Sequence, residues 1–338
     1  MQKSLKAGNV FVIAEAGVNH NGSVKTALKL CAAAKKAGAA AVKFQTFITE
    51  KNITKWAEMA DYQKTNIGVE QSQFEMSKKL ELSYDAFRQI KRYCDKIGIE
   101  FLSTPDDNES LDFLVKLRVK RIKIGSAEIT NIPFLRRVGR SRIDVILSTG
   151  MSEMPEVKSA YKALTVSGAK SVTVLHCTSE YPCPPEDVNL RAMDTLGMVL
   201  KAATGYSDHT MGIAVSIAAA ARGAVIIEKH LTLDKRMDGP DHAASIEPDE
   251  FAEMVDAIQL VSKALGDGRK RASSSEKKNI PIVRRSIVAA CHIDRNERFT
   301  EFNLAAKRPG VGISPARWDN VLGRKAKRSF EEDELIEI

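Results

Sequence analysis

Titratable side chains follow apolar stretches at several places in this sequence, in positions where a buried strand would end. The clearest case is the apolar run 224–227, which is followed directly by Glu228, Lys229 and His230. Buried polar groups cost free energy unless they are paired. Comparable side chains close seven other runs: Glu15; Lys43 and Gln45; Ser103 and Thr104; Lys123, Ser126 and Glu128; Ser148 and Thr149; His176; and Ser207, Asp208 and His209. Eight such endings predict one site, to which all the strands point.

The lysines and serines of this set predict a binding site for a small anion. Ammonium and hydroxyl groups donate hydrogen bonds to phosphate and carboxylate oxygens. The residues with this chemistry are Lys43, Lys123, Ser126, Ser148 and Ser207. The sequence contains neither GxxxxGK[ST] nor GxGxxG, the patterns typical of nucleotide-binding loops. We therefore expect a small phosphorylated acid as the ligand.

Two histidines at the ends of neighbouring strands allow two interpretations. His209 and His230 would lie close enough in a barrel to share one divalent ion, which could polarise a carbonyl oxygen. Alternatively, the run from Ser207 to His209 would be a hydrogen-bonded base. We expect metal ligation.

A lysine at a strand end also raises the hypothesis of a Schiff-base aldolase, with Lys123 as the nucleophile. An imine-forming lysine needs a lowered pKa, whereas a lysine that anchors phosphate stays cationic. The serines and histidines around it favour the anchoring role.

The elements that must position these residues alternate between short β-rich runs and amphipathic helical stretches. This alternation predicts a (β/α)8 barrel, with a doubly wound open sheet as the alternative. The predicted strands are 10–17, 40–46, 99–104, 121–126, 144–150, 171–177, 203–209 and 224–230. The second connection, 47–98, is unusually long, and long connections in compact domains are often functional. In such barrels the active site lies at the carboxyl ends of the strands.

The composition changes near residue 265, which predicts two domains. We expect the barrel over 1–265, an exposed linker rich in Gly, Ser and charge over 266–281, and a small, mainly β domain over 282–338. Composition alone gives the small domain a role in stability or oligomerisation.

The whole-chain composition excludes several classes of protein. The formal charge is +8, but basic residues are mixed with acidic ones and match no nucleic-acid-binding motif, so we expect no nucleic acid as partner. The five cysteines form no CxxC pair, which argues against a zinc knuckle or a disulfide framework. No run is long enough to span a membrane, and residues 1–10 lack the apolar core of a secretory signal, so we expect a cytoplasmic protein.

Motifs in the same order along nearly the whole chain resemble the bacterial N-acetylneuraminate (sialic acid) synthase family. They are IAEAGVNHNGS, VKFQTF, DYQKTN, FLSTP, KIGSAE, ILSTGM, LHCTSEYPCPPEDVNL, GYSDHT, IEKHLTLDKRMDGPDHAASIEPDE and KRPGVGISP. The resemblance implies a (β/α)8 barrel joined to an antifreeze-like SAF domain. It also implies the condensation of phosphoenolpyruvate with an N-acetylated mannose-type sugar, with Mn²⁺ or Mg²⁺ as cofactor and release of phosphate.

The resemblance also implies a role for each matching residue. His209 and His230 would bind the metal, and with Glu15 and Lys123 they would form the catalytic set. The phosphoenolpyruvate site would comprise Lys43, Thr104, Lys123, Ser126, Glu128, Ser148 and Ser207. The sugar site would comprise Glu15, Asn66, Ser179, Tyr181, Asp241 and Arg308. Arg308 matches the arginine that in this family reaches the partner subunit's active site, which implies a domain-swapped homodimer.

The sugar itself stays open between related products. We place N-acetylmannosamine first, which would make the chain a sialic acid synthase. The alternative is 2,4-diacetamido-2,4,6-trideoxymannose and a legionaminic acid synthase; a pseudaminic acid synthase or a non-catalytic glycan-binding protein fits less well. Asp106 stands where many relatives have an aromatic residue, and Ser179 where some have asparagine, and both departures could alter the sugar pocket.

Overall fold

The computed structural model describes residues 10–67 and 71–338, and it divides into two compact units. The first unit ends at Gly266 and the second begins at Asp267. Residues 1–9, which bear on the prediction that no signal segment is present, lie outside the described residues. No helix in the described ranges is both long and apolar enough to cross a membrane.

The first unit is built on eight parallel strands that form a nearly closed barrel. They are β1 (Phe11–Gly17), β2 (Ala41–Thr46), β3 (Glu100–Pro105), β4 (Arg121–Ile124), β5 (Asp144–Ser148), β6 (Ser171–His176), β7 (Thr204–Asp208) and β8 (Ile226–His230). Hydrogen bonds join them in the order β3-β2-β1-β8-β7-β6-β5-β4, and the terminal strands β3 and β4 contact each other. The predicted (β/α)8 fold class is confirmed, including the strand at 203–209 that carried the weakest pattern.

Helices cover the outside of the barrel and also fill the long second connection. They are α1 (Val24–Lys36), α2 (Thr49–Asn52), α3 (Asp61–Ile67), α4 (Gln73–Leu80), α5 (Tyr84–Ile97), α6 (Asn108–Lys116), α7 (Ile132–Arg140), α8 (Met154–Val166), α9 (Ala192–Leu200), α10 (Ala214–Ala221) and α11 (Pro248–Ala264). The connection 47–98 therefore carries α2, α3 and α4 ahead of α5, which explains its unusual length.

Local sequence explains why these helices begin and end where they do. In α1, the Ser23 hydroxyl accepts a hydrogen bond from the Thr26 amide, and the buried residues recur at helical spacing. Helix α5 ends at Gly98, whose φ of 72° is strained for other residues. Both helices pack against the strands through their apolar faces.

Strand periodicity separates the barrel interior from the layer under the helices. The interior cluster consists of Ile13, Ala41, Leu102, Ile146, Leu175 and Ile226. Successive side chains of a strand point to opposite faces, so the residue two positions later faces the same way. Two positions after these residues stand Glu15, Lys43, Thr104, Ser148, Cys177 and Glu228. The alternation thus places a polar layer above the apolar interior cluster, at the carboxyl ends of the strands.

The second unit contains a small antiparallel sheet with its own core. Strand β9 (Ser286–Ala289) pairs with β10 (Leu304–Lys307), and isolated bridges extend this pairing towards the carboxyl end of the chain. Its helices are α12 (Ser274–Lys277), α13 (Ile280–Val283) and α14 (Trp318–Val321). The segment predicted as a linker, 266–281, thus contains α12 and the beginning of α13. The core is centred on Ile287, Phe299 and Phe330.

Candidate active site

A cavity of about 540 Å³ opens at the carboxyl ends of the barrel strands. This volume suits one or two small substrates. Ten residues predicted for the site line it: Glu15, Lys43, Thr104, Lys123, Ser126, Glu128, Ser148, Tyr181, Ser207 and Asp241. Both predicted metal ligands, His209 and His230, line it as well.

Two lysines and two glutamates form an ion-pair network on the cavity floor. Glu228 Oε1 lies 2.7 Å from Lys123 Nζ and 3.7 Å from Lys43 Nζ, and it accepts a hydrogen bond of 2.9 Å from Ser207. Glu15 Oε2 lies 2.9 Å from Lys43 Nζ. All four charged side chains are almost completely buried. The floor is therefore nearly neutral as a whole, although it consists of charged groups.

The glutamates have opposite pKa shifts. Burial raises the pKa of Glu15 to about 7, against the attraction of Lys43. Burial also opposes ionisation of Glu228, but Lys123 and Lys43 outweigh it and lower the pKa of Glu228 to about 2. Burial lowers the pKa of Lys123, and Glu228 opposes that shift. Glu228 is thus a fixed anion, whereas Glu15 can exchange a proton near neutral pH.

The sequence placed Glu228 among the strand-end residues that predict the site, but no binding or catalytic role was predicted for it. It lies two positions before His230 on the same strand, so the two side chains face the same side.

The two histidines lie side by side as neutral rings. Their ring centroids are 5.5 Å apart. Burial lowers the pKa of His209 to about 4 and that of His230 well below its usual value. His209 Nδ1 lies 2.5 Å from the Thr178 carbonyl oxygen, which can only accept, so this nitrogen carries the proton and Nε2 keeps a lone pair. The Nδ1 atom of His230 is buried, 3.6 Å from Asp241 Oδ2, and has no hydrogen-bond partner in the part of the chain that the structure describes.

The alternative, a hydrogen-bonded base formed by the run from Ser207 to His209, is met only in part: Ser207 Oγ lies 3.5 Å from His209 Nε2, but the Asp208 carboxylate is bonded elsewhere. Asp208 instead accepts hydrogen bonds from Thr210, Ser216 and Lys229, on the side of the strand that faces away from the cavity.

Two serine side chains, Ser126 and Ser148, line the cavity together with the lysines. Ser148 Oγ is buried and has no hydrogen-bond partner within residues 10–67 and 71–338. Ser126 Oγ accepts a hydrogen bond of 2.9 Å from the Gly150 amide. A Cβ atom at Gly150 would lie 2.2 Å from Ser179 Oγ and 3.0 Å from Ser126 Oγ, so a side chain there would displace these hydroxyls. A buried, unpaired hydroxyl in a cavity is poised to bind a ligand oxygen.

Aromatic side chains close one side of the cavity. The Tyr181 ring lies 4.1 Å from the His209 ring and 5.0 Å from the Tyr62 ring, measured between centroids. Tyr62 and Gln63 belong to α3 and line the cavity, so the long second connection contributes directly to the site. The length of that connection predicted a function for it, but the sequence assigned no specific role to Tyr62 or Gln63.

Three predicted sugar residues lie elsewhere. Asn66 donates a hydrogen bond of 2.7 Å to the Pro240 carbonyl, next to the cavity-lining residue Asp241. Ser179 is not among the lining residues; its hydroxyl packs behind Gly150. Arg308 is an exposed residue of the second unit, directly after β10.

Additional carboxyl groups surround the polar floor. Asp106, which departs from the family pattern, lines the cavity, and burial together with the charge of Glu128 raises its pKa to about 8. Glu128 accepts a hydrogen bond of 2.6 Å from Asn131. Burial raises the pKa of Asp241 to about 6, against the attraction of Lys43.

Comparison with known proteins gives consistent matches over both units. The model of the NeuB family matches residues 30–270, and the model of the SAF domain matches residues 284–337. The N,N'-diacetyllegionaminic acid synthase of Campylobacter jejuni is 48% identical, over 96% of this chain and 98% of its own length. The synthase of the same name from Legionella pneumophila is 43% identical, over 93% of this chain and 90% of its own length.

A solved structure supports the same relationship. The N-acetylneuraminic acid (sialic acid) synthetase of Leptospira borgpetersenii, in complex with citrate, matches with a TM-score of 0.70 and 34% identity, over 80% of this chain and 90% of its own. The predicted family, barrel and SAF domain are confirmed, and so is the prediction of an enzyme of the nonulosonic acid synthase class. The chain therefore belongs to the NeuB family.

Proposed function

We propose that the protein condenses phosphoenolpyruvate with 2,4-diacetamido-2,4,6-trideoxymannose and water, giving N,N'-diacetyllegionaminic acid and phosphate. The 48% and 43% identical relatives carry the name of this synthase, whereas the sialic acid synthetase is 34% identical. The sequence alone had placed N-acetylmannosamine first and the diacetamido trideoxy sugar second, so the order of the two candidate substrates is now reversed. N-acetylmannosamine, which would give N-acetylneuraminate, is the second candidate.

The observation that carries the proposal is the convergence of Lys43, Lys123 and the unpaired Ser148 hydroxyl beside two neutral histidines in one cavity. The lysines and the serines Ser126, Ser148 and Ser207 would hold the phosphate and carboxylate of phosphoenolpyruvate. The part of the cavity lined by Tyr181 and Asp241 would then receive the sugar.

The reaction makes two bonds and breaks one. C3 of phosphoenolpyruvate attacks the aldehyde carbon of the open-chain sugar, and a water oxygen adds to C2. The C2–O bond to the phosphate then breaks. Of the two protons of water, one reaches the former aldehyde oxygen and the other leaves with phosphate.

The chain's own residues stabilise the charges that develop in these steps. Lys43 and Lys123 lie where negative charge collects on the departing phosphate, and fixed charges of this kind need no reorganisation during the reaction. Glu15, with a pKa of about 7, is suited to take a proton from water and return it to the sugar oxygen.

A divalent metal, Mn²⁺ or Mg²⁺, fits the two histidines, because both rings are neutral and His209 Nε2 keeps its lone pair. Within the described ranges, no set of three or more His, Cys, Asp or Glu side chains is arranged to hold a metal ion. His209 and His230 would thus be the protein's ligands, with water and substrate oxygens completing the set. When bound, the metal would act as a Lewis acid on the sugar carbonyl.

The family resemblance adds a partner subunit to the proposal. Arg308 would reach the sugar site of a second copy in a domain-swapped homodimer, which gives the SAF domain a role in catalysis. The protein would work in the cytoplasm.

The test is phosphate release from phosphoenolpyruvate in the presence of Mn²⁺, with each of the two sugars in parallel. We expect a higher kcat/KM with the diacetamido trideoxy sugar; a preference for N-acetylmannosamine would favour the second candidate. Phosphoenolpyruvate labelled with ¹⁸O in the bridging position should release labelled phosphate. His209→Ala should abolish turnover, whereas His292→Ala, at an exposed histidine of the second unit, should not. Equal activity of His209→Ala and wild type would reject the site.

A further inference from the structure

Lys229 is a fully buried charge that the reaction does not use. Its side chain is 0% exposed, as is that of Asp208, and Lys229 Nζ lies 3.0 Å from Asp208 Oδ2. Both side chains face away from the cavity, because they alternate with Ser207, His209, Glu228 and His230 along their strands. Replacing a buried ion pair by neutral groups often costs little stability, so stability alone does not explain the pair.

The pair lies directly behind the two histidines. Asp208 precedes His209 on β7, Lys229 precedes His230 on β8, and Asp208 and Lys229 are register partners in the sheet. The ion pair therefore joins the two strands at the level where they present the imidazole rings.

The same pair also holds the backbone on the other side of His209. Lys229 Nζ donates a hydrogen bond of 2.5 Å to the Thr210 carbonyl, and Asp208 Oδ1 accepts from the Thr210 amide at 2.9 Å. Asp208 Oδ2 also accepts a hydrogen bond of 2.6 Å from Ser216 on α10. His209 thus lies between Asp208, a member of the pair, and Thr210, whose backbone the pair holds.

His230 depends on this support more than His209 does. The ring of His209 is oriented by the Thr178 carbonyl, but His230 Nδ1 has no hydrogen-bond partner among the described residues. The position of the His230 ring therefore rests on the backbone of β8, which Lys229 anchors from behind.

We propose that Asp208 and Lys229 are positioning residues that set the separation of His209 and His230 for binding one divalent cation. This inference rests on the proposed function, in which the two histidines bind the metal. Groups that position metal ligands from behind typically change metal affinity by about 10- to 100-fold when they are replaced.

The test compares direct Mn²⁺ binding, measured by calorimetry, in the wild type and in the double variant Asp208→Asn/Lys229→Met. The double variant removes both charges, so it leaves no unpaired buried ion and should fold. We expect Mn²⁺ affinity to fall about 10- to 100-fold, with a melting temperature close to that of the wild type. Turnover should return towards the wild-type rate as Mn²⁺ is raised.

A matched control is the pair Glu100→Gln/Arg121→Met, which removes an ion pair of 2.6 Å between β3 and β4 at the amino ends of the strands. It should leave Mn²⁺ affinity unchanged. An unchanged Mn²⁺ affinity in the Asp208/Lys229 double variant would overturn this inference but leave the proposed metal site intact. Absence of Mn²⁺ binding by the wild type would overturn the proposed metal site, and the inference with it.

Discussion

Glu228 Oε1 lies 2.7 Å from Lys123 Nζ and 3.7 Å from Lys43 Nζ, so one buried carboxylate contacts two buried ammonium groups, and Glu15, 2.9 Å from Lys43 Nζ, supplies the second negative charge. An anionic substrate that binds the lysines meets cations that are already paired. The ion pairs therefore hold the lysines in position before phosphoenolpyruvate binds. Pairing also keeps the free-energy cost of burying these charges moderate.

Glu228→Gln should destabilise the free protein and make it more responsive to phosphoenolpyruvate. Loss of one partner of a buried pair typically costs about 3–5 kcal/mol, because the other charge stays buried. The anion should replace the lost carboxylate, so phosphoenolpyruvate should raise the melting temperature more in this variant than in the wild type. Glu100→Gln, in an ion pair at the opposite end of the strands, should lose stability without that response. Equal responses would show that the lysines do not bind the substrate.

Glu15 should make stability depend on pH between about 4.5 and 7. Its pKa is raised from 4.5 to about 7, so over this interval the native state retains a proton that the unfolded state releases. Stability contributed by this group is therefore lost as pH rises, by up to about 3 kcal/mol. Denaturant titrations at pH 5 and pH 8 should show a smaller fall in the free energy of unfolding for Glu15→Gln than for the wild type. An identical pH dependence in both proteins would contradict the raised pKa.

Gly150→Ala should weaken phosphoenolpyruvate binding, because its Cβ atom would push against Ser126 and Ser179. We expect the KM for phosphoenolpyruvate to rise by about tenfold, the equivalent of one lost hydrogen bond to a charged group. Gly139→Ala is a matched control, since its Cβ would lie 2.6 Å from the Leu164 carbonyl oxygen, away from the cavity. It should cost stability but leave this KM unchanged.

Arg308→Ala and His209→Ala should complement each other if the homodimer is domain-swapped. A heterodimer of the two variants would contain one site with both changes and one site with neither. Mixing the inactive variants, with subunit exchange, should therefore restore part of the activity. No recovery in a mixture shown to contain heterodimers would place Arg308 in its own subunit's site or outside both.

Borohydride should not trap a covalent adduct between Lys123 and phosphoenolpyruvate or its product. Burial lowers the pKa of Lys123, but its ammonium group is paired with Glu228 at 2.7 Å, and this pairing opposes the loss of its proton. Mass spectrometry of the reduced protein would detect a modified Lys123, and such a product would restore the aldolase hypothesis.

The sequence alone predicted the barrel and twelve of the residues that line its cavity. Short apolar, β-rich runs located the eight strands, because buried parallel strands are mostly apolar and their polar exceptions gather at one end. For the same reason the cavity contains Lys43, Lys123, Ser148 and both histidines, each expected from its place at a strand end.

Only the tertiary structure decided which of these groups touch each other. Glu228 pairs with Lys123 although 105 positions separate them, and Asp208 turns away from His209 although it is its neighbour in sequence. The pKa shift of Glu15 likewise depends on its burial and on Lys43, 28 positions away. Contacts of this kind follow from how the strands close into a barrel, and no local pattern in the sequence records those distances.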